Sequence, residues 1–463
     1  MKVLKHIMVV IFFSALTSCG KEFLDKKRDM ALAIPSTTAD YQALLDRMGI
    51  MNTQQSYALS LAGADEYKVS DQVWENGLTG TDVYLKNAYV WEKDVFEELE
   101  SKDWNNAYQR ILHANLILDI NRVSPKAGEQ NAWNNVKGSA LFIRALNFYQ
   151  LAQLFCKPYD AQTAKNDLGV PIRLDYDVTV KYNRGTVEEL YQRMIEDLRT
   201  AAQLLPDRAE HIFRPSRIAA NHLLAKIYLS MGKYELALEH VNTSLGIQNT
   251  LLDYNTLNLN TVNTFPAGDY AVSNPEVFYF STSIVMEILS SSRVTNIPDE
   301  IYTMYELNDL RRGAYFTMQP DGRRTFKGSY QFNQSAMFTG FATDELWLMS
   351  AECKARLKNY QGAMEDVNHL LKYRYKTGTF EPFVVEGEDN ILAFILKERR
   401  KQLFFRGVRW EDLRRLNKDP RFATTLVREV AGKRYELVPN SPRWVWPIPK
   451  NEIELNNLPQ NER

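Results

Sequence analysis

The sequence predicts an all-α protein, and two observations favour this fold class. Residues 216–245 carry apolar side chains at the i, i+3, i+4 and i+7 spacing of two amphipathic helices, with Gly232 between them. This stretch contains the spacing Ala-x8-Tyr-x2-Ala, and residues 350–371 contain the same spacing. Two similar helix pairs in one chain indicate a scaffold assembled from packed helical hairpins.

Each pair resembles the helical hairpin of the tetratricopeptide repeat, although Lys358 stands where the second turn would have glycine. One such hairpin cannot bury its apolar stripe alone, so neighbouring helices are expected to stack on it. A generic antiparallel helix pair is the alternative interpretation. Further helices are predicted over residues 40–48, 104–123, 133–155, 186–205 and 390–403. The helix over 133–155 carries one apolar stripe, and the Thr-Val-Glu-Glu run at 186–189 is a capping box at the start of the next helix.

Composition argues against nucleic acid as a partner. The chain has 463 residues, 45% hydrophobic and 24% charged, with a formal net charge of −1. It therefore lacks the basic excess typical of proteins that bind a phosphate backbone. The basic stretch 397–415 also contains Glu398, Glu411 and Asp412, so we expect its arginines to pair with carboxylates inside the protein.

The amino terminus predicts export and lipid anchoring. Two lysines precede an apolar run over residues 7–16, which is too short to span a bilayer but fits a signal peptide over residues 1–18. The following Leu-Thr-Ser-Cys resembles a bacterial lipobox, which makes Cys19 the expected lipidation site and residues 19–38 a tether. An ordinary secretory signal with an incidental cysteine is the alternative.

The mature chain divides into residues 39–245 and 246–463, with a loop-rich insertion over 246–330. Residues 52–91 form a second irregular segment without sustained periodicity, typical of a functional loop. Capture of a ligand by such loops needs exposed aromatic faces rimmed by polar groups. The candidates in the first segment are Asp65, Tyr67, Trp74, Asn76, Tyr84 and Asn87, and those in the insertion are Tyr270, Tyr302, Tyr305 and Arg323. Trp74 is the preferred candidate, with a loop anchor packed into the core as the alternative, whereas Trp91 and Trp104 are expected in the core.

Enzyme and cofactor motifs are absent from the sequence. It contains no G-x-S-x-G, H-E-x-x-H, P-loop or G-x-G-x-x-G, and its six histidines do not cluster at metal-ligand spacing. Cys156 and Cys353 are expected to be buried free thiols. No cofactor and no catalytic residue is predicted. A structural calcium ion in an acidic loop and a glycosidase carboxylate pair remain open alternatives.

Several separated motifs together resemble the SusD/RagB nutrient-uptake lipoproteins of the Bacteroidetes outer membrane. The motifs are Cys19-x3-Phe-Leu-Asp, FIRALNFY at 142–149, GVPI at 169–172, NPEVF at 274–278, NDLRR at 308–312, ERRxxLxFxGxRWxDLR at 398–414 and WPIPxxEI at 446–453. They follow one another in order along nearly the whole chain. Cys156 departs from the family pattern, which has glycine after the Leu-Phe pair.

The resemblance implies an all-helical fold with tetratricopeptide-like hairpins and a loop-rich binding face. It also implies an outer-membrane lipoprotein at the cell surface that captures oligosaccharides and passes them to a SusC-like TonB-dependent transporter. Such proteins are not enzymes. Peptide uptake of the RagB type is one alternative function, and a structural surface lipoprotein without a small ligand is another.

Overall fold

The structure is a computed structural model, and it describes residues 35–76, 83–265, 274–286, 289, 295–331 and 336–463. The predicted signal peptide, the lipidation site Cys19, most of the tether and the candidate Tyr270 lie outside the described residues. Two free cysteines, Cys156 and Cys353, are both buried, as expected.

Helices dominate the described chain. In order they are α1 Thr38–Leu45, α2 Met48–Met51, α3 Ala58–Gly63, α4 Asp71–Asn76, α5 Val83–Tyr89, α6 Lys102–Leu118, α7 Gln130–Phe155, α8 Val187–Leu204, α9 Arg217–Ser230, α10 Tyr234–Ile247, α11 Asp299–Tyr302, α12 Arg311–Tyr315, α13 Thr343–Arg356, α14 Tyr360–Lys372, α15 Glu388–Gln402, α16 Arg409–Leu416 and α17 Lys450–Asn456. The predicted all-α class is confirmed, with boundaries that shift by a few residues.

Strands are short and come in antiparallel pairs. They are β1 Leu168–Pro171, β2 Arg184–Thr186, β3 Val277–Tyr279, β4 Phe316–Met318, β5 Arg324–Phe326, β6 Phe341–Ala342, β7 Leu426–Val430 and β8 Lys433–Leu437. The pairs are β1 with β2, β3 with β6, β4 with β5, and β7 with β8. Each pair holds a loop segment against the packed helices.

The helical hairpins stack in sequence order. Helices α6 to α10 each pack on the next, and α10 then packs on α13, which pairs with α14. The turn between α9 and α10 has Gly232 at φ +71, and the turn between α13 and α14 has Lys358 at φ +64. Lys358 thus adopts the left-handed conformation that glycine takes more easily, so the second hairpin forms without the expected glycine.

Helix α7 lies at the centre of the core. Its residues 138–155 are all buried, so this helix is enclosed on every side instead of presenting the single apolar stripe that its sequence predicts. The neighbouring α8 begins with the predicted capping box: the Thr186 hydroxyl accepts from the Glu189 amide at 3.1 Å, and the Glu189 carboxylate accepts from the Thr186 amide at 2.8 Å.

A buried ionic network joins the two predicted halves of the chain. Lys226 on α9 lies 2.7 Å from the carboxylate of Glu411 on α16 and 3.4 Å from that of Glu345 on α13. Arg399 on α15 pairs with Glu345 at 3.0 Å and with Asp412 at 2.8 Å. The expectation that the basic stretch 397–415 pairs with carboxylates is confirmed.

The segment 52–91 is more regular than its sequence predicts. It contains the short helices α3, α4 and α5, and all six residues of α3 are buried. Among the helices of the described residues, none has both the length and the apolar character needed to cross a membrane. Within the same residues, no group of three His, Cys, Asp or Glu side chains is placed to hold a metal ion.

Candidate functional site

The two irregular segments meet at one edge of the molecule. Lys68 in the first segment pairs with Asn296 in the insertion through two backbone hydrogen bonds of 2.8 Å. The Lys68 ammonium also lies 3.1 Å from the Glu300 carboxylate on α11. The pairing brings Asp65 and Tyr67 of the first segment towards Tyr302 and Arg323 of the insertion.

A cleft of about 470 Å³ opens at this junction, and we call it the Asp65 cleft. The two irregular segments form two of its walls, and the β7–β8 hairpin forms the third. The lining residues are Asp65, Tyr67, Lys68, Val69, Tyr89, Trp91, Pro298, Glu300, Leu426, Val427, Arg428 and Glu429. Charged side chains of both signs stand at the rim, where Lys68, Glu300 and Glu429 are each more than half exposed.

Arg428 fixes the hairpin against the first segment. Its guanidinium carbon lies 3.6 Å from the centre of the Tyr89 ring and also covers the rings of Tyr67 and Trp91. The same guanidinium donates to the carbonyls of Tyr67 at 3.0 Å and Ala62 at 3.2 Å. The aromatic faces at the base of the cleft are therefore occupied by the protein's own cation.

Asp65 carries a strongly held negative charge. Burial opposes ionisation, but Arg409 at 2.7 Å and Arg400 at 3.0 Å outweigh it and hold the pKa of Asp65 well below its usual range. Its neighbour Glu66 is fully buried, and burial raises the pKa of that carboxyl to about 7. Asp65 is thus a permanent acceptor at the cleft, already satisfied by two guanidinium groups.

Trp74 lies beside the hairpin, outside the lining of the Asp65 cleft. Its half-buried ring is 6.5 Å from the ring of Tyr435, the Lys86 ammonium sits 4.4 Å from its centre, and its indole N–H donates to the Lys86 carbonyl at 3.4 Å. Asp71 at the start of α4 accepts from the amide of Ala431 at 3.0 Å. Helix α4 is thereby held against the hairpin, and Asn76 at its end is exposed.

Tyr302 and Arg323 border the opposite side. The half-buried Tyr302 ring lies between the guanidinium groups of Arg312 at 4.4 Å and Arg324 at 4.2 Å. Arg323 pairs with Asp321 at 2.7 Å and donates to the Thr295 carbonyl at 3.4 Å. Both residues therefore lie near the backbone pair that joins the two segments.

The expectation of exposed rings is wrong for three tyrosines. Tyr67, Tyr84 and Tyr305 are no more than 2% exposed, because the short helices and turns around them pack inwards. Tyr305 donates its hydroxyl to the Lys401 carbonyl at 2.8 Å. Asn87 is half-buried and donates to Val95 and Glu97, which gives it a local structural role. Trp91 and Trp104 are core residues, as predicted.

The sequence interpretation missed the β7–β8 hairpin, which supplies four lining residues. Its residues 426–437 read LVREVAGKRYEL, and alternation around a glycine is a hairpin pattern. The two-residue turn has Ala431 at φ +52 and Gly432 at φ +68, as in a type I′ turn. Alanine in place of the usual asparagine or aspartate weakens that pattern, which explains the omission.

A larger cavity than the Asp65 cleft lies elsewhere and has a different chemistry. It measures about 930 Å³ and lies between the start of α1, the start of α7 and the segment that follows α8. Its lining is rich in amides, such as Gln42, Asn131 and Gln203, and includes no aromatic ring. It therefore lacks the stacking surface that sugar capture requires.

Two family models match the chain. The first, described as starch-binding and associating with the outer membrane, matches residues 22–229, and the second, the SusD family, matches residues 327–462. Together they account for about three quarters of the chain.

Relatives of full length agree with these matches. The SusD-like protein P2 of Formosa agariphila is 24% identical over 546 aligned positions, which span 99% of each chain. A SusD superfamily protein from Bacteroides thetaiotaomicron has a similar structure, with a TM-score of 0.74, 19% identity and coverage of 92% of this chain and 100% of that one. A SusD-like carbohydrate-binding protein from Bacteroides vulgatus gives a TM-score of 0.70 at 17% identity, with coverage of 91% and 97%. The chain belongs to the SusD/RagB family.

Proposed function

We propose that this protein is a cell-surface lipoprotein that captures oligosaccharides and passes them to a SusC-like TonB-dependent transporter. One observation carries the proposal: in a chain that belongs to the SusD/RagB family, both irregular segments and a hairpin converge on one polar cleft flanked by aromatic rings. The proposal involves binding without covalent chemistry.

The chemistry of the Asp65 cleft supports a neutral, hydroxyl-rich ligand. Lys68 and Glu300 offer a donor and an acceptor at the rim, and their exposed ion pair costs little to rearrange around a ligand. Trp74 stands at one flank with a half-buried ring, which can stack on a sugar face. Near-balanced charge at the rim gives no preference for a polyanion or a polycation.

Anchoring and delivery complete the proposal. Acyl chains on Cys19 would hold the mature protein at the outer membrane, since each buried methylene contributes about 0.8 kcal/mol. The SusC-like barrel is the proposed recipient of the ligand, with the helical hairpins as scaffold. Both parts rest on the sequence motifs and on the family description.

The test is calorimetric titration of the chain from Gly20 onward with a panel of oligosaccharides and peptides, repeated with Trp74→Ala. We expect binding to one glycan class. The substitution should weaken that binding at least tenfold, because the stacking of a sugar ring on Trp74 is lost. Trp133→Ala is the matched control: Trp133 is also half-buried, has a lysine 5.1 Å from its ring centre and donates its indole N–H to backbone carbonyls.

The outcomes separate the alternatives. Equal binding by both tryptophan variants would keep glycan capture and remove Trp74 from the site. Binding of peptides alone would replace the proposal with RagB-type uptake. Absence of any ligand across the panel would favour a structural surface lipoprotein.

A further inference from the structure

A second cleft, separate from the Asp65 cleft, lies between α6, the segment that follows β1 and helix α17. It measures about 420 Å³, and we call it the Tyr182 cleft. Its lining residues are Glu100, Trp104, Asn105, Tyr108, Gln109, Leu112, Pro171, Arg173, Val178, Tyr182, Asn451, Glu452, Asn456 and Leu458. None of them lines the Asp65 cleft.

Aromatic side chains form one part of the cleft. The Tyr108 ring lies 4.9 Å from the ring of the buried Trp104, and its hydroxyl donates to the Pro171 carbonyl at 2.9 Å, which fixes the ring in place. The half-buried Tyr182 ring has the Arg173 guanidinium 5.1 Å from its centre. These rings are held by the fold before any ligand arrives, which lowers the entropy lost on binding.

Polar groups of opposite charge line the same cleft without pairing. Arg173 donates to the carbonyls of Asp177 and Val180, both at 3.2 Å, and forms no ion pair among the described residues. Glu452 accepts only a long bond of 3.4 Å from the Asn456 amide and a hydrogen bond from the Trp104 indole. The side-chain oxygen of Asn451 is buried and has no partner within the described chain.

This combination selects a class of ligand. A donor guanidinium and an acceptor carboxylate that remain apart can each bind hydroxyl groups of one neutral molecule. Glu452 disfavours an anionic ligand, and Arg173 disfavours a cationic one. The amides match the hydroxyl groups of a sugar, and the aromatic rings match its apolar C–H face. An apolar ligand would leave these polar groups unsatisfied at a cost.

We infer that the Tyr182 cleft is a second saccharide-binding site, which engages the same glycan as the Asp65 cleft at another point along its length. The inference rests on the proposed function, because it takes the glycan class from there. Two sites on one chain raise the affinity for a polysaccharide that reaches both, since the second contact is made at high effective concentration. A short oligosaccharide fills the two sites independently.

Stoichiometry gives the sharpest test. Calorimetry with maltoheptaose, laminarihexaose, xylohexaose and cellohexaose on the chain from Gly20 onward should show two oligosaccharides per wild-type chain for the matching sugar. Tyr182→Ala should reduce this to one, and Trp74→Ala should remove the other. In native gels that contain the parent polysaccharide, each variant should lose about tenfold or more in affinity, because the two-site contact is lost.

Two further variants guard against loss of fold. Glu452→Gln keeps the shape of the side chain but removes the charge, and it should weaken the same site as Tyr182→Ala. Tyr176→Ala is the matched control, because Tyr176 lies on the same segment, outside the cleft lining, with its hydroxyl bonded to Asp119. Thermal unfolding by circular dichroism checks each variant.

The results distinguish this inference from the proposed function. One oligosaccharide per wild-type chain, unaffected by Tyr182→Ala and Glu452→Gln, would overturn the second site and leave the proposed function in place. One per chain, lost only in those two variants, would support the Tyr182 cleft and remove the Asp65 cleft from glycan binding. Absence of binding to all four sugars and their polysaccharides would overturn the inference.

Discussion

At the scale of single residues, Glu66 shows how burial can decide the protonation state of a side chain beside the Asp65 cleft. One carboxylate oxygen accepts from the Phe405 amide at 2.9 Å, and the other is buried with no hydrogen-bond partner among the described residues. Burial raises the pKa of Glu66 to about 7, although Arg409 and Arg400 act in the opposite direction. Below that pH the carboxyl is neutral and tolerates its surroundings.

This shift predicts a pH dependence of stability. Because the folded-state pKa of about 7 exceeds the ordinary value of 4.5, the unfolding free energy should fall as pH rises from about 4.5 to 7, by up to about 3 kcal/mol. Glu66→Gln cannot ionise and should remove the part of the fall that Glu66 causes, whereas Asp103, whose pKa burial also raises to about 7, should keep its own part. Urea unfolding at pH 5, 6, 7 and 8 measures it, with Glu429→Gln at the exposed rim of the cleft as the control.

If the Glu66→Gln variant and the wild type lost the same free energy between pH 5 and 8, the buried carboxyl would not be the source. A larger fall in the Glu66→Gln variant than in the wild type would contradict the sign of the prediction.

Residue-level prediction from the sequence succeeded for two tryptophans of the core. Trp91 and Trp104 were expected in the core, and both are buried. Tyr67 and Tyr84 were expected to be exposed because their segment lacks periodicity, yet they are buried by short helices whose packing partners are distant in sequence. Tyr67, for example, is covered by Arg428 at the far end of the chain.

At the scale of secondary-structure elements, the β7–β8 hairpin forms a wall of the Asp65 cleft with an unfavourable turn. Ala431 adopts φ +52, a left-handed conformation that costs an L-residue with a Cβ roughly 1 kcal/mol. The adjacent Gly432, at φ +68, takes its conformation without that cost. A Cβ added at Gly432 would meet nothing within 4 Å, so its effect would come from the backbone alone.

These positions give a matched pair of substitutions. Ala431→Gly should stabilise the protein by roughly 0.5–1 kcal/mol, because it relieves the strained conformation while keeping the amide that donates to Asp71. Gly432→Ala should destabilise it by roughly 1 kcal/mol or more. Denaturant unfolding measures both changes, and destabilisation by Ala431→Gly would show that the turn is not under strain.

The accuracy of the predicted helices depended on how clearly the local sequence pattern marks their ends. The capping box marked the start of α8 to within a residue, because Thr186 and Glu189 satisfy each other locally. The helix predicted over 104–123 instead ends at Leu118 and continues as a short 3-10 turn. The helices of segment 52–91 are too short for a periodic pattern to identify them.

At the scale of the whole molecule, the ionic network around Lys226 crosses the division that we placed at residue 245. Lys226 and Glu345 are each less than 5% exposed, on helices from different halves. Pairs of this kind stabilise little by themselves but are costly to break, since one charge would remain buried alone. The fold class and the family could be predicted from dispersed motifs, whereas the network could not, because its partners are brought together only by the fold.

Anchoring is the prediction that concerns the whole protein in its cell. Cys19→Ala should move the protein from the outer-membrane fraction to the soluble fraction or the medium, because the acyl chains would be lost. Cell fractionation with immunoblotting measures the distribution, and Cys156→Ala, which removes a buried thiol, is the matched control. Unchanged membrane association of the Cys19 variant would rule out lipidation at this position as the main attachment.

Arg428 has a consequence for how specificity can evolve. Its guanidinium lies over the rings of Tyr67, Tyr89 and Trp91 and so occupies the aromatic surface that these rings form. Replacement by a small side chain would expose those rings but would also leave the carbonyls of Tyr67 and Ala62 without their donor. A lineage with this fold therefore gains a stacking surface here only if a second substitution supplies a new donor for those carbonyls.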